Sequence, residues 1–272
     1  MNSSFDIKRF GNVVRYDAMS YFQNFGWTLL VLLALPIGLW FLLYTNMNLN
    51  DYEAYMTEGR FGILQVLMYL AVMIVPSRLY KNVNDPRKGI QYAMLPASSL
   101  EKFLSMLLYC VVVTPILYLI GALLIDSILV LIPGNNPYEG FVFNQIFNTE
   151  VVKFELTGEL DDCAQDIKLP LFKIFAFLAY ASIFMFTNML FKKRKLSKTI
   201  GILALLGITF MVFVIRLVIK FEGFDGTMNA DEMLEFEKYL IRVIYYGGYV
   251  INLIISTSLL YFTYRKIRKQ TY

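Results

Sequence analysis

Ser98 and Glu101 are the residues whose types and spacing point most directly to a task. They lie in residues 85–105, DPRKGIQYAMLPASSLEKFLS, a polar and basic turn between two long apolar runs. Three positions apart, they match a capping box: the serine oxygen accepts from the Glu101 backbone N–H, and the glutamate accepts from the N–H of Ser98. Such a cap contributes about 1 kcal/mol to fixing where a helix begins. The helix it starts runs straight into the next apolar segment, so a rigid helix start is presented at a membrane surface. That geometry suits a membrane protein pushed by something soluble. The plainer alternative is that the box only starts the next membrane helix.

Other chemistry is sparse. The chain contains no histidine, which removes His-based zinc sites, Ser-His and Cys-His nucleophiles and histidine proton relays. Cys110 lies in an apolar run and Cys163 in a polar loop, with no CxxC pattern between them, so a disulfide is not expected. The phosphate-cradling GxxxxGK[ST] pattern is absent, and if ATP drives this protein the ATPase is another chain. HExxH and paired membrane aspartates are missing too, so intramembrane proteolysis has no constellation to work with. No metal or cofactor is expected on this chain, and no nucleic-acid partner.

Charged residues inside apolar runs cost about 2.5 to 3.5 kcal/mol at bilayer centre and therefore face protein or water. Asp126 and Arg216 fall at similar depth near the ends of such runs. Either they pair across the bundle or each snorkels to the interface. Gln65, Asn188 and Asn252 read as interhelical hydrogen-bonding groups rather than substrate ligands. The run Lys192, Lys193, Arg194, Lys195 and Lys198 reads as a topology signal and a contact for anionic headgroups ahead of a partner-docking site.

The elements that must position these residues follow from the clustering of apolar residues. Of 272 residues, 57% are hydrophobic and 16% aromatic, gathered into blocks of membrane-spanning length. The N-terminal 25 residues lack an apolar core with a cleavage site, so no signal peptide is predicted. Phe10, Val13, Val14, Tyr21, Phe22 and Phe25 recur at helical spacing among Lys8, Arg9, Arg15 and Asp17, which predicts an interfacial amphipathic helix over 1–25.

Spans are predicted near 26–44, 61–79, 103–125, 171–191, 199–219 and 243–264. Pro36 and Pro115 fall inside two of them. The first three spans fill 26–132, an outer loop fills 133–170 with a short strand near 151–156, the last three spans fill 171–264, and a basic tail fills 265–272. Asn229, with Met233, Phe236 and Leu240 behind it, predicts a short amphipathic helix before the last span. The connections alternate in charge: basic at the N-terminus, after span two, after span four and at the C-terminus, acidic after spans one, three and five. By the positive-inside rule this gives a single all-α transmembrane domain of six spans, both termini in the cytoplasm.

With the GIQYAMLPASSLEKFLS segment between spans two and three, the chain resembles the membrane subunits of type-2 ABC transporters, the six-span permeases of bacterial exporters. The resemblance covers the whole chain in topology and residues 95–105 in motif. It implies an interfacial helix at 5–25, a coupling helix at 87–101 and short outer helices near 229–240. It also implies a second copy or paralogue of the permease and a cytoplasmic P-loop ATPase carrying ATP and magnesium, in a bacterial inner membrane. On this reading Arg87, Lys88, Leu95, Pro96, Ser98, Ser99, Glu101 and Lys102 couple to the ATPase. Pro115 would be a bend point in the moving span. The rival from another class is a non-transporting membrane scaffold, an assembly or sensor-associated protein, which needs no ATPase.

Overall fold

The computed structural model describes residues 5–45, 57–81, 83, 89–133, 136–138, 140–143, 151–152, 167–168, 170–192, 194–222 and 230–269. Arg87, Lys88, Cys163, Asn229 and most of the acidic loop residues lie outside them. The helices are α1 Ile7–Asn24, α2 Gly26–Thr45, α3 Thr57–Leu79, α4 Ile90–Ala93, α5 Ser99–Leu107, α6 Thr114–Val130, α7 Pro170–Leu190, α8 Lys195–Glu222 and α9 Ala230–Arg268. A π-helical turn, Leu108–Val113, joins α5 to α6.

Helix α1 begins where Asp6 accepts from the backbone N–H groups of Lys8 and Arg9, at 2.8 and 3.5 Å. Val13, Asp17, Tyr21 and Phe25 then recur every fourth residue, and all four are buried. This is the inward stripe that a 3.6-residue repeat produces. It packs on α2, α3 and α5. The opposite face leaves Ile7, Met19 and Phe22 exposed beside Lys8 and Arg15.

Three segments among the described residues are long and apolar enough to cross a membrane: Gly26–Thr45, Gly59–Leu79 and Ser99–Val130. Only 11% of the first is buried against the rest of the protein. So apolar a surface left uncovered is compatible with insertion into a membrane. At 1.5 Å per residue the 32-residue Ser99–Val130 segment is about 48 Å long, more than a bilayer core needs. The π turn within it sits just before Pro115, which has no N–H to give. The Thr114 N–H and hydroxyl both go to the Tyr109 carbonyl, the hydroxyl at 2.7 Å, so the carbonyls around the proline keep a donor.

One expectation changes. The short helix foreseen before the last span is not separate: α9 runs unbroken for 39 residues from Ala230. Gly247 and Gly248 lie within it and do not interrupt it, because α7 packs along α9 and outweighs a local propensity cost of about 1 kcal/mol per glycine. Of the strand foreseen near 151–156, Val151–Val152 is described, paired antiparallel with Ile167–Lys168, and 153–156 lie outside the described residues.

Close packing sets one further constraint. A side chain at Gly121 would place its Cβ 3.0 Å from Leu33 Cδ1 and 3.1 Å from Cδ2, so the glycine lets α6 approach α2. Gly121→Leu is expected to cost about 1–3 kcal/mol through overpacking. Thermal unfolding in detergent, against Gly62→Leu where nothing lies within 4 Å, measures it.

Candidate functional site

Two buried polar centres organise the bundle. The first surrounds the capping box, which is formed as the spacing requires: the Glu101 N–H reaches Ser98 Oγ at 3.3 Å, and the Ser98 N–H reaches Glu101 Oε2 at 2.8 Å. The other carboxylate oxygen accepts from the Asp6 N–H at 2.9 Å and lies 3.4 Å from the Arg9 guanidinium. Glu101 thereby starts α5 and ties the beginning of α1 to it. It is 0% exposed. Lys102 is buried as well, its Nζ donating to the Tyr92 carbonyl at 2.9 Å and lying over the Tyr92 ring.

One turn further on, Asp17 of α1 accepts on a single oxygen from Ser105 Oγ at 2.6 Å and from the Tyr80 hydroxyl at 2.9 Å. Tyr109 adds a third link between the segments, donating to the Val14 carbonyl at 2.9 Å. The Tyr80 ring meets Tyr92 edge to face with centroids 6.0 Å apart. Behind Tyr80, Lys195 from the start of α8 donates to the carbonyls of Tyr80 and Lys81, both at 3.1 Å. A cation there completes the orphan carbonyls that follow α3. Burial raises the Asp17 carboxyl to about 6 against the hydroxyl bonds that lower it. Burial also lifts Tyr80 well above its ordinary value, with Asp17 adding to the effect, and lowers Lys195 to about 8.

The junction thus gathers α1, the end of α3, α4, α5 and the start of α8. In front of it the chain presents apolar side chains outward: Met94 is 77% exposed, Ile90 and Leu100 are exposed, and Pro96 stands between them. Leu95 is half-buried against the core, Ala97 is buried, and Ser98 and Ser99 are half-buried. Of the residues foreseen as coupling, Glu101 and Lys102 therefore face inward and act as positioning residues, because their polar groups are consumed by backbone partners. The side chains that face outward there are those of Ile90, Met94, Pro96 and Leu100.

The second centre lies at the other end of α6. Asp126 is bound by Arg60 of α3 at 2.9 Å, not by Arg216, which is exposed on α8. The pairing weighed for Asp126 and Arg216 is replaced because α3 packs directly on α6 and brings a cation to the carboxylate first. Arg60 also donates to the Gly140 carbonyl, at 2.6 Å, and lies 4.3 Å over the Tyr138 ring, while the Val142 N–H reaches Asp126 at 3.3 Å. The pair so fastens Tyr138, Gly140 and Val142 across the helix ends. Beside it, Asn136 donates to the carbonyls of Leu129, Val130 and Ile132 and accepts from Trp40 at 3.1 Å. An apolar cleft of about 250 Å³ opens there, between Leu39, Leu42, Ile63, Arg60, Asp126 and Tyr138.

No protein-family model, curated protein or solved structure matches this chain.

Sequence reasoning passed over Asp17, Arg60, Tyr80, Ser105 and Lys195. Two carried a signal. Asp17 stands four residues after Val13 and four before Tyr21, an acid on the apolar stripe. Arg60 is the lone cation of an acidic loop, next to an apolar run. Lys195 was hidden in its basic run: Lys192, Arg194 and Lys198 are exposed, as a headgroup contact requires, and Lys195 alone of the four is buried. Asn188 is buried in α7, and Gln65 and Asn252 are half-buried.

The Arg60–Asp126 pair generates a direct test. Arg60→Ala strands a buried carboxylate and is expected to cost about 3–5 kcal/mol, whereas replacing both residues with leucine returns most of that. Unfolding in detergent of Arg60→Leu, Asp126→Leu and the double-leucine variant, beside Arg60→Ala, measures the coupling.

Proposed function

We propose that this chain is a six-span membrane protein with both termini in the cytoplasm, serving as the permease subunit of an ATP-driven exporter of the ABC type. It works with a cytoplasmic P-loop ATPase that holds ATP and magnesium, and with a second copy or a paralogue of itself, in a bacterial inner membrane. Supporting this reading above all is the apolar knuckle formed by Ile90, Met94, Pro96 and Leu100 in front of the buried junction. A soluble partner seated on the knuckle pushes on a segment that cannot yield locally, since Tyr92, Glu101 and Lys102 are fixed behind it. The push passes into the Ser99–Val130 helix without an intervening loop.

The charge alternation supports the sidedness, and the knuckle falls on the basic, cytoplasmic side. Met19, Phe22 and Ile7 beside Lys8 and Arg15 suit α1 to the headgroup plane, where apolar and cationic side chains are both favoured. The π turn Leu108–Val113 is a place where a pushed helix changes register at low cost, a use to which such turns are often put.

Affinity purification from native membranes in mild detergent tests the assignment. Wild type is expected to retain a P-loop ATPase that Met94→Glu loses by at least about tenfold, since a charge in an apolar contact costs more than 1.4 kcal/mol. Met94 is exposed, so its replacement leaves the fold intact. Recovery of sensor or envelope-assembly proteins without any ATPase would carry the scaffold reading instead.

A further inference from the structure

Asp17 has no ion-pair partner among the described residues, although cations stand close by in the junction. It is 1% exposed, and both of its hydrogen bonds come from neutral hydroxyls. Each of those donors belongs to a different neighbour: Tyr80 follows α3, and Ser105 is in α5. The carboxyl is therefore the point at which α1 is fastened to the two segments on either side of the knuckle.

Among the described residues, the charged and titratable groups nearest it are neutral hydroxyls and a thiol, or cations engaged elsewhere. Tyr80 bonds it directly. Tyr92 of α4, and Tyr109 and Cys110 of the π turn, lie in its field. Helix α2, which also packs on α1, carries no charged residue. The ammonium groups of Lys102 and Lys195 are held on the carbonyls of Tyr92 and of Tyr80 and Lys81. Arg9 is drawn to Glu101 and Asp6 at the start of the helix. None of these supplies the countercharge that an ionised Asp17 lacks.

We propose that Asp17 is a proton-binding site whose occupancy sets how tightly α1 clasps the segment that leads into the Ser99–Val130 helix. The protonated carboxyl sits in the junction without a desolvated charge; the carboxylate sits there at a cost, and it is relieved when α1 lifts and water reaches it. The direction follows from linkage. A carboxyl raised from 3.8 to about 6 in the docked state contributes stability that is full below 3.8 and is lost as pH rises through about 6. The clasp is tight in acid and loosens toward neutrality. This holds whether or not an ATPase is the partner, so the test below does not depend on the transport reading.

Hydrogen exchange of the α1 backbone in the full-length protein in detergent reads the docking equilibrium, with each rate corrected for the chemical exchange rate at that pH. Protection over residues 17–24 is expected to fall about tenfold between about pH 5 and about pH 7.5. In Asp17→Asn, which resembles the neutral carboxyl in shape, protection stays level across the same range. Tyr80→Phe removes one donor to the carboxylate and moves the midpoint of the fall to higher pH, an effect that loss of packing alone does not produce. Wild-type protection that does not change with pH overturns the proposal. So does a fall in Asp17→Asn equal to that of wild type, or a midpoint unmoved in Tyr80→Phe.

Discussion

A buried carboxylate must find donors, and in this protein the donors of Glu101 decide the architecture around them. Two backbone N–H groups and a guanidinium converge on it, one of the N–H groups and the guanidinium arriving from the far end of the sequence. Charge-assisted bonds of this kind are roughly twice as strong as neutral ones, and leaving any of these groups dry and unmet costs about 1–3 kcal/mol. The interaction therefore fixes three things together: the first residue of α5, the height at which α1 lies, and the direction in which the 89–98 turn projects. Lys102 and Ala97 can be buried, and Met94 displayed, because Glu101 holds the turn in place.

The opposite pole repeats the logic with different parts. Arg60 and Asp126 neutralise each other, and the loop carbonyl and N–H that they bind are drawn over the helix ends. Between the poles the long helices offer few polar handles and pack through tyrosines, methionines and small residues, with Tyr118, Met106, Met185 and Ala122 fully buried. A bundle whose polar bonds are concentrated at its ends is stiff there, and its middle can shear more readily than its ends can part. Helix α8 departs from this pattern: it packs on α7 and α3 and leaves Leu205, Leu206, Ile208 and Met211 exposed along its length. Lys195 anchors its start beside α3, reaching the carbonyls that follow that helix.

The placing of apolar blocks was legible in the sequence because membrane-length runs are a coarse, additive signal; α2, α3 and α7 lie within a few residues of where the runs predict them. The capping box was legible because it is local, three residues wide and dictated by backbone geometry. What could not be read was the choice of partners. From the sequence only Arg216 was weighed as a partner for Asp126, and the choice of Arg60 depends on which helices are neighbours, which no local pattern encodes. The inward turn of Glu101 was missed for the same reason. A capping glutamate is ordinarily half in solvent, and only the arrival of Asp6 and Arg9 seals it. Lys195 shows the limit most plainly, since its composition and neighbours match those of exposed lysines and its burial is a property of the bundle.

The distance along the chain between Asp6 and Glu101, 95 residues, sets a clock on biogenesis. At a synthesis rate of roughly 5 to 20 residues per second, Glu101 emerges about 5 to 20 s after Asp6. Throughout that interval α1 lacks the part of its packing surface that α5 supplies, although α2 and α3 are made before it is over. On the membrane reading proposed above, a newborn amphipathic helix in that position rests on the bilayer, with the exposed Phe22 and Met19 in the headgroup layer and its inward stripe waiting for α5. Helix α1, made before α2 to α5, is thus fully seated only when α5 arrives.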